Sequence, residues 1–274
     1  MSAAFIYAAG RALRLGAAFA GCPKILLEMG GRSLLEWHVR WLAAVGCRDI
    51  HVVTGYLREH VVTRIPGLTR QYGARIEEIF NPDYTEGSVL SLAASLPTIL
   101  AQSEAVLLLD GDVLYPKAML ERLQASSHPT VLLIDRQFST GDSDPVLVPI
   151  RDGKAIEFRK QWQGHTDSVG ESVGLFRVAP ADVPLLAAET RRRTVGSGRA
   201  ESYDEIIRAL VLASRFGWED VTGLPWIEVD FPEDVERARR VTMPAILTLS
   251  AGQPPAAPGP AGEVMCRRRA SRRE

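Results

Sequence analysis

Ala105-Val-Leu-Leu-Leu-Asp-Gly-Asp-Val-Leu-Tyr115 sets five unbroken apolar residues directly before two carboxylates separated by one glycine. A short continuous apolar run, without alternation, is the pattern of a strand buried on both faces at the centre of a parallel sheet. The carboxyl end of such a strand is where open α/β sheets bind ligands. Strand alternation points Asp110 and Asp112 to the same side. With no base nearby in sequence, the two acids repel each other, and a hard divalent cation is their natural partner. The plainer reading is an Asp-rich turn that caps the strand.

Outward from this run, strands and helices alternate. Residues 3–8 form a strand-like run ending at Ala9-Gly10. Residues 33–45 read as a helix with Ser33 as N-cap, Glu36 completing a capping box, and Leu34, Trp37, Trp41 and Leu42 on one face. Strands follow at 50–54 and 75–80, then a helix at 88–100. This order implies βαβ units and a three-layer α/β/α, Rossmann-like fold whose central sheet is mixed but mainly parallel. Later strands are expected at 130–134, at 146–150 and 155–158 around the hairpin signal Asp152-Gly153, and at 170–178. Residues 202–216 read as an amphipathic helix, 226–231 as a short strand and 232–241 as a helix opened by Pro232. Residues 1–242 are thus one domain. Residues 243–274, rich in Ala, Pro and Gly and then Arg, lack the apolar content to offset ordering and read as a disordered tail.

Composition narrows the function classes. In 274 residues, 46% are apolar and 24% charged, which is ordinary globular usage. The formal charge of -1 argues against a dedicated nucleic-acid binder. Cys22, Cys47 and Cys266 have no close spacing, so neither a disulfide framework nor a zinc cluster is expected. No apolar run reaches the length of a membrane span, and no basic leader precedes the first apolar stretch. A cytoplasmic location is the expectation. Of 32 basic residues only Lys24, Lys117, Lys154 and Lys160 are lysines, so a retained Lys is more readily read as a compact, strongly hydrated charge.

Two further segments carry chemistry. Ala8-Ala9-Gly10-Arg11-Ala12-Leu13-Arg14-Leu15 follows the first strand, and Pro23-Lys24 comes soon after. Small residues there let a ligand approach the backbone, whose N–H groups can cradle phosphate oxygens, with Arg14 and Lys24 as cations. The spacing fits neither a Walker loop nor a dinucleotide fingerprint. The alternative is a plain strand-to-helix loop with two surface cations. The other segment is Glu228-Val229-Asp230, whose spacing of two puts both acids on one side of a strand, where Asp230 can complete a metal site with Asp112.

In this order, these segments resemble the sugar-phosphate nucleotidyltransferase superfamily, and within it the phosphocholine cytidylyltransferase-like branch. The family's Ala-Ala-Gly-x-Gly-x-Arg loop, Pro-Lys pair, Asp after the central strand and late Glu-x-Asp match Ala8 to Arg14, Pro23-Lys24, Asp112 and Glu228/Asp230. The stretch from Phe80 to Leu92 is similar to its base-binding segment. The resemblance implies an Mg²⁺-dependent transfer from CTP, or another nucleoside triphosphate, to a small phosphate or phosphonate such as phosphocholine, phosphoethanolamine or an aminoethylphosphonate, with release of pyrophosphate. It implies catalytic roles for Arg14, Lys24 and Lys160. Nucleotide contacts fall to Ala8, Ala9, Gly10, Ala12, Gly87, Ser88, Ser91 and Asp110, and acceptor contacts to Tyr84, Lys160, Trp162 and Glu171. Asp112, Glu228 and Asp230 would be metal ligands. One position departs: the second loop glycine is Ala12, which costs about 1 kcal/mol if that site needs a positive φ. A sugar-1-phosphate nucleotidyltransferase, a metal-dependent glycosyltransferase and a non-catalytic nucleotide-binding relative stay open, as does a homodimer; Trp37 and Trp41 are read as core, with a dimer face the alternative.

Overall fold

The structure, a computed structural model, describes residues 2–16, 19–138 and 145–250. Its main sheet has nine strands: β1 (Ala3–Ala8), β2 (Asp49–Thr54), β3 (Arg75–Phe80), β4 (Val106–Asp110), β5 (Val131–Asp135), β6 (Leu147–Arg151), β7 (Lys154–Ala155), β8 (Ser168–Val178) and β9 (Gly217–Asp220). β3, β2, β1 and β4 lie side by side and parallel. β8 runs antiparallel to β4, β5 and β6, and β9 is parallel to β5. The carboxyl ends of β1, β4 and β5 therefore share one edge.

Alternation along these strands builds two cores. Ala4, Ile6, Leu107 and Leu109 face one, beneath the helices Leu34–Ala44 and Lys117–Ala125; Ala3, Phe5, Val106 and Leu108 face the other, against Val89–Leu100, Val183–Arg193 and Asp204–Leu212. Covering both sheet faces is what makes the strands read as continuous apolar runs, and it gives the expected three layers.

Local predictions hold unevenly. Ser33 caps its helix by accepting from the Glu36 N–H at 3.1 Å, but the Glu36 carboxylate turns outward to Tyr72 Oη (2.8 Å) and Arg32 Nε (3.1 Å) instead of returning to the cap. Asp152 and Gly153 take φ of 51° and 72°, as a tight hairpin demands, yet the returning strand covers only Lys154–Ala155. The expected strand at 226–231 reduces to Ile227–Glu228. The helix expected at 202–216 spans Asp204–Leu212. The boundary at 242 is too early: Met243–Leu249 is helical, with Met243 and Ile246 buried, and Met243 packs where a side chain on Gly30 would sit. The rest of the expected tail, 251–274, lies outside the described residues. Trp37 and Trp41 are each 2% exposed within the first core, so they offer no dimer face.

No described helix is long and apolar enough to cross a membrane.

Candidate active site

A cavity of about 810 Å³ opens along the shared strand edge. Ala8, Ala9, Gly10, Ala12 and Arg14 line one wall as β1 gives way to the loop. Ala12 adopts φ 53°, ψ 37°, the left-handed conformation the family's glycine would take without strain. Just beyond it, the 3-10 turn Leu13–Leu15 sets Arg14 Nη1 2.9 Å from Asp230 Oδ2. Lys24, at the start of the 3-10 turn Lys24–Leu26, brings its Nζ to 2.8 Å from Asp112 Oδ2 and 2.6 Å from Asp230 Oδ1. Residues 206 positions apart are thereby joined in one charge cluster.

Asp112 and Glu228 lie close because the short strands Val113–Leu114 and Ile227–Glu228 pair antiparallel, and the Val229 N–H donates to the Asp112 carbonyl at 3.0 Å. Carboxylate oxygens of Asp112, Glu228 and Asp230 all fall within 4.8 Å of one another. Three hard oxygen donors at that spacing fit a divalent cation such as Mg²⁺. The electrostatics agree. Glu228 is open to cavity water, but the surrounding walls strip its hydration, and with Asp112 and Asp230 they push its carboxyl up to about 8. Burial alone would lower the Lys24 ammonium, but Asp112 and Asp230 outweigh it and hold the charged form.

Asp110 points into the cavity floor, as alternation from Asp112 predicts. Burial, then the neighbouring Asp112, raise its carboxyl well above the usual range, while the Tyr203 hydroxyl donates to it and opposes that rise. Gly174 makes this possible. It takes φ 73° at a register shift in β8, and a Cβ there would fall inside the Asp110 carboxylate. Burial also raises Asp204, against the pull of Lys160.

Ser88, Ser91 and Tyr84 line the same cavity, as do Lys160 and Glu171. Ser88 Oγ accepts from the Tyr203 N–H at 3.0 Å, and Ser91 Oγ accepts from Asn81 Nδ2 at 3.1 Å. Two expected residues stand elsewhere. Gly87 is a packing glycine: its N–H donates to the Arg199 carbonyl at 2.8 Å, and a Cβ there would strike the backbone of 199–201. Trp162 does not line the cavity; its ring folds back over Gly164. Aromatic chemistry near Glu171 comes from Trp226, whose Nε1 donates to Asp135 Oδ2 at 2.8 Å. Asp135 stands opposite Glu171 in the sheet register. It ends the buried run Val131–Ile134 in the way Asp110 ends its own, so the same signal was available for it. Tyr203, Asp204 and Arg237 also line the cavity; they carry no sequence signal beyond their place near helix ends.

A family model described as the MobA-like NTP transferase domain matches residues 4–166. The chain is 31% identical over 250 residues to the CMP-5'-(3-aminopropyl)phosphonate synthase of Streptomyces rubellomurinus, covering 86% of this chain and 38% of that protein. It spans less than half the length of this and of the next curated relative it matches. In fold it is similar to the inositol-1-phosphate CTP transferase from T. maritima, with a TM-score of 0.73 at 18% identity over 90% of this chain and 96% of that one. It is also similar to the CTP:phosphocholine cytidylyltransferase from Streptococcus pneumoniae, with a TM-score of 0.68 at 20% identity over 88% and 99%. The metal-ligand candidates Glu228 and Asp230 lie beyond the matched domain, yet they close its cavity. The chain belongs to the MobA-like NTP transferase domain family.

Proposed function

We propose that the chain is an Mg²⁺-dependent cytidylyltransferase that couples CTP to a small phosphate or phosphonate and releases pyrophosphate. The observation that carries this reading is the joint placement of Arg14 and Lys24, on the first loop, against Asp112, Glu228 and Asp230 from two distant strand ends. An anionic oxygen of the acceptor attacks the α-phosphorus in line. A new P–O bond forms, the bond to the β-phosphate bridge oxygen breaks, and its electron pair leaves on pyrophosphate. The attacking oxygen is already ionised, so no protein base is needed; the obstacle is bringing two anions together. A cation held by Asp112, Glu228 and Asp230 would supply charge neutralisation at the phosphates. Arg14 and Lys24 grip the triphosphate end as charge builds on the leaving group, and the loop N–H groups around Gly10 orient it. Lys160, on the cavity wall, draws in the acceptor's anionic group. A glycosyltransferase would release a nucleoside diphosphate and no pyrophosphate, so pyrophosphate release separates the two readings.

The acceptor end favours a compound whose other terminus is a cationic ammonium. Asp135 and Glu171 supply negative charge there, and Trp226 adds an aromatic face fixed by its bond to Asp135. The names of the Streptomyces and pneumococcal relatives, a CMP-5'-(3-aminopropyl)phosphonate synthase and a phosphocholine cytidylyltransferase, support this preference.

The test is pyrophosphate release with CTP, UTP, ATP and GTP across phosphocholine, aminoalkylphosphonates and a polyol phosphate. Release with CTP and an ammonium-bearing acceptor is expected. Asp112→Asn and Lys24→Ala should each lose ~100-fold or more while the circular dichroism spectrum is unchanged. Full activity in either variant, or no release with any nucleotide, overturns the assignment.

A further inference from the structure

The helix that follows Asp230 departs from regular geometry at the cavity wall. It begins as an α-helix over Pro232–Arg237, widens to a π turn over Ala238–Thr242 and resumes as an α-helix over Met243–Leu249. Pro244 supplies the cause. It cannot donate to the carbonyl four residues back, and in an α-helix its ring would collide with that carbonyl; a wider turn relieves both. Arg237, Val241 and Thr242 all come to line the cavity on this stretch, at the spacing one π turn superposes.

Arg237 lines the same cavity as Arg14, and each pairs with an acid of the segment 230–234. Its Nη2 lies 3.2 Å from Asp234 Oδ1, and the other oxygen of Asp234 accepts the N–H groups of Asp230 (3.0 Å) and Phe231 (2.8 Å). One buried carboxylate thus fixes both the backbone of a metal-ligand candidate and the direction of a guanidinium. The charge balance leaves room for that guanidinium. Arg14 and Lys24 are already paired with Asp230 and Asp112, and a triphosphate brings more negative charge than those two cations offset.

We infer that Arg237 is a third phosphate-binding cation, directed at the leaving pyrophosphate, and that Asp234 is the positioning residue that holds it and Asp230 in register. This rests on the nucleotidyltransferase reading above and adds a role for the helix beyond Asp230. A planar guanidinium suits two oxygens of a diphosphate better than an ammonium does.

The experiment is calorimetric binding of inorganic pyrophosphate, in the presence of Mg²⁺, to the full chain and to Arg237→Met, Arg237→Lys and Asp234→Asn, with CMP as the control ligand. Arg237→Met should weaken pyrophosphate about 10-fold, the loss of one charge-assisted contact at an exposed site. Arg237→Lys should recover part of that loss, and CMP, which has no β or γ phosphate, should bind all three Arg237 forms alike. Asp234→Asn should weaken pyrophosphate and also raise the Mg²⁺ concentration needed for half-saturation. If Arg237→Met binds pyrophosphate as the unaltered chain does, the inference falls and the cytidylyltransferase reading stands. If the unaltered chain binds neither pyrophosphate nor CMP, both fall.

Discussion

Ala12 holds φ 53° where glycine would rest without strain, so the loop that approaches the phosphates is kept under tension by one methyl group. Glycine pays for its freedom in the unfolded chain, which offsets part of the relief. Ala12→Gly is therefore expected to stabilise the fold by about 0.5–1 kcal/mol, read as a higher urea midpoint at unchanged slope. A lower midpoint would show that the methyl contact with the first core outweighs the strain. Gly174 poses the opposite case. Gly174→Ala would force a left-handed alanine and drive its methyl into Asp110, costing on the order of 2 kcal/mol and displacing the cavity floor. Its urea midpoint and its pyrophosphate release should both fall; a variant with normal stability and activity would remove Asp110 from the site. Ala12 was legible because the loop motif marks the position. Gly174 was not, because the residue it makes room for is 64 positions away in sequence and meets it only through the pairing of β4 with β8.

At the scale of elements, the strands buried on both faces are legible in the sequence: Ala3–Ala8 appears with the expected bounds and β4 within a residue. Their signal is local, a run of apolar side chains with turn residues after it. The edge strand Arg75–Phe80 also appears with the expected bounds, although only Ile76 in it is buried. The helices Lys117–Ala125 and Val183–Arg193 went unseen. Each buries only a few residues, and Val183–Arg193 ends in three arginines, so neither carries a strong apolar stripe. The strand expected at 226–231 shortens to Ile227–Glu228 for a related reason. Leu224, Trp226 and Ile227 are apolar because they wall a cavity and cover the first core, not because they extend a sheet. The acids of the site are legible since each lies at or just past the end of a strand. Trp162, expected at the acceptor, is not among the cavity-lining residues: an aromatic residue near Lys160 in sequence need not face the same way, and its ring closes over its own loop.

For the whole molecule, the site straddles the two cores. Lys24 and Asp112 extend from the side of Leu34–Ala44, whereas Ser88 and Tyr203 belong to the side of Val89–Leu100 and Asp204–Leu212. A nucleotide that touches both sides binds the folded chain and not the unfolded one, so its binding energy adds to global stability. With CTP and Mg²⁺ together at about 100 times their dissociation constant, the added stability is ~2.7 kcal/mol, a rise in melting temperature of about 5–10 °C for a chain of this size. Scanning calorimetry checks this; no shift with CTP and Mg²⁺, at concentrations that saturate pyrophosphate release, would show that the site does not unfold together with the two layers.

Lys24 bonds to partners 88 and 206 positions away, and neither bond can form until the chain between has closed. The entropy of closing such loops is met only after most other packing is in place. During synthesis or refolding, the sheet can therefore assemble while the charge cluster is still open. Competence to act is the last property the chain acquires, and the first it loses when the helix beyond Asp230 detaches.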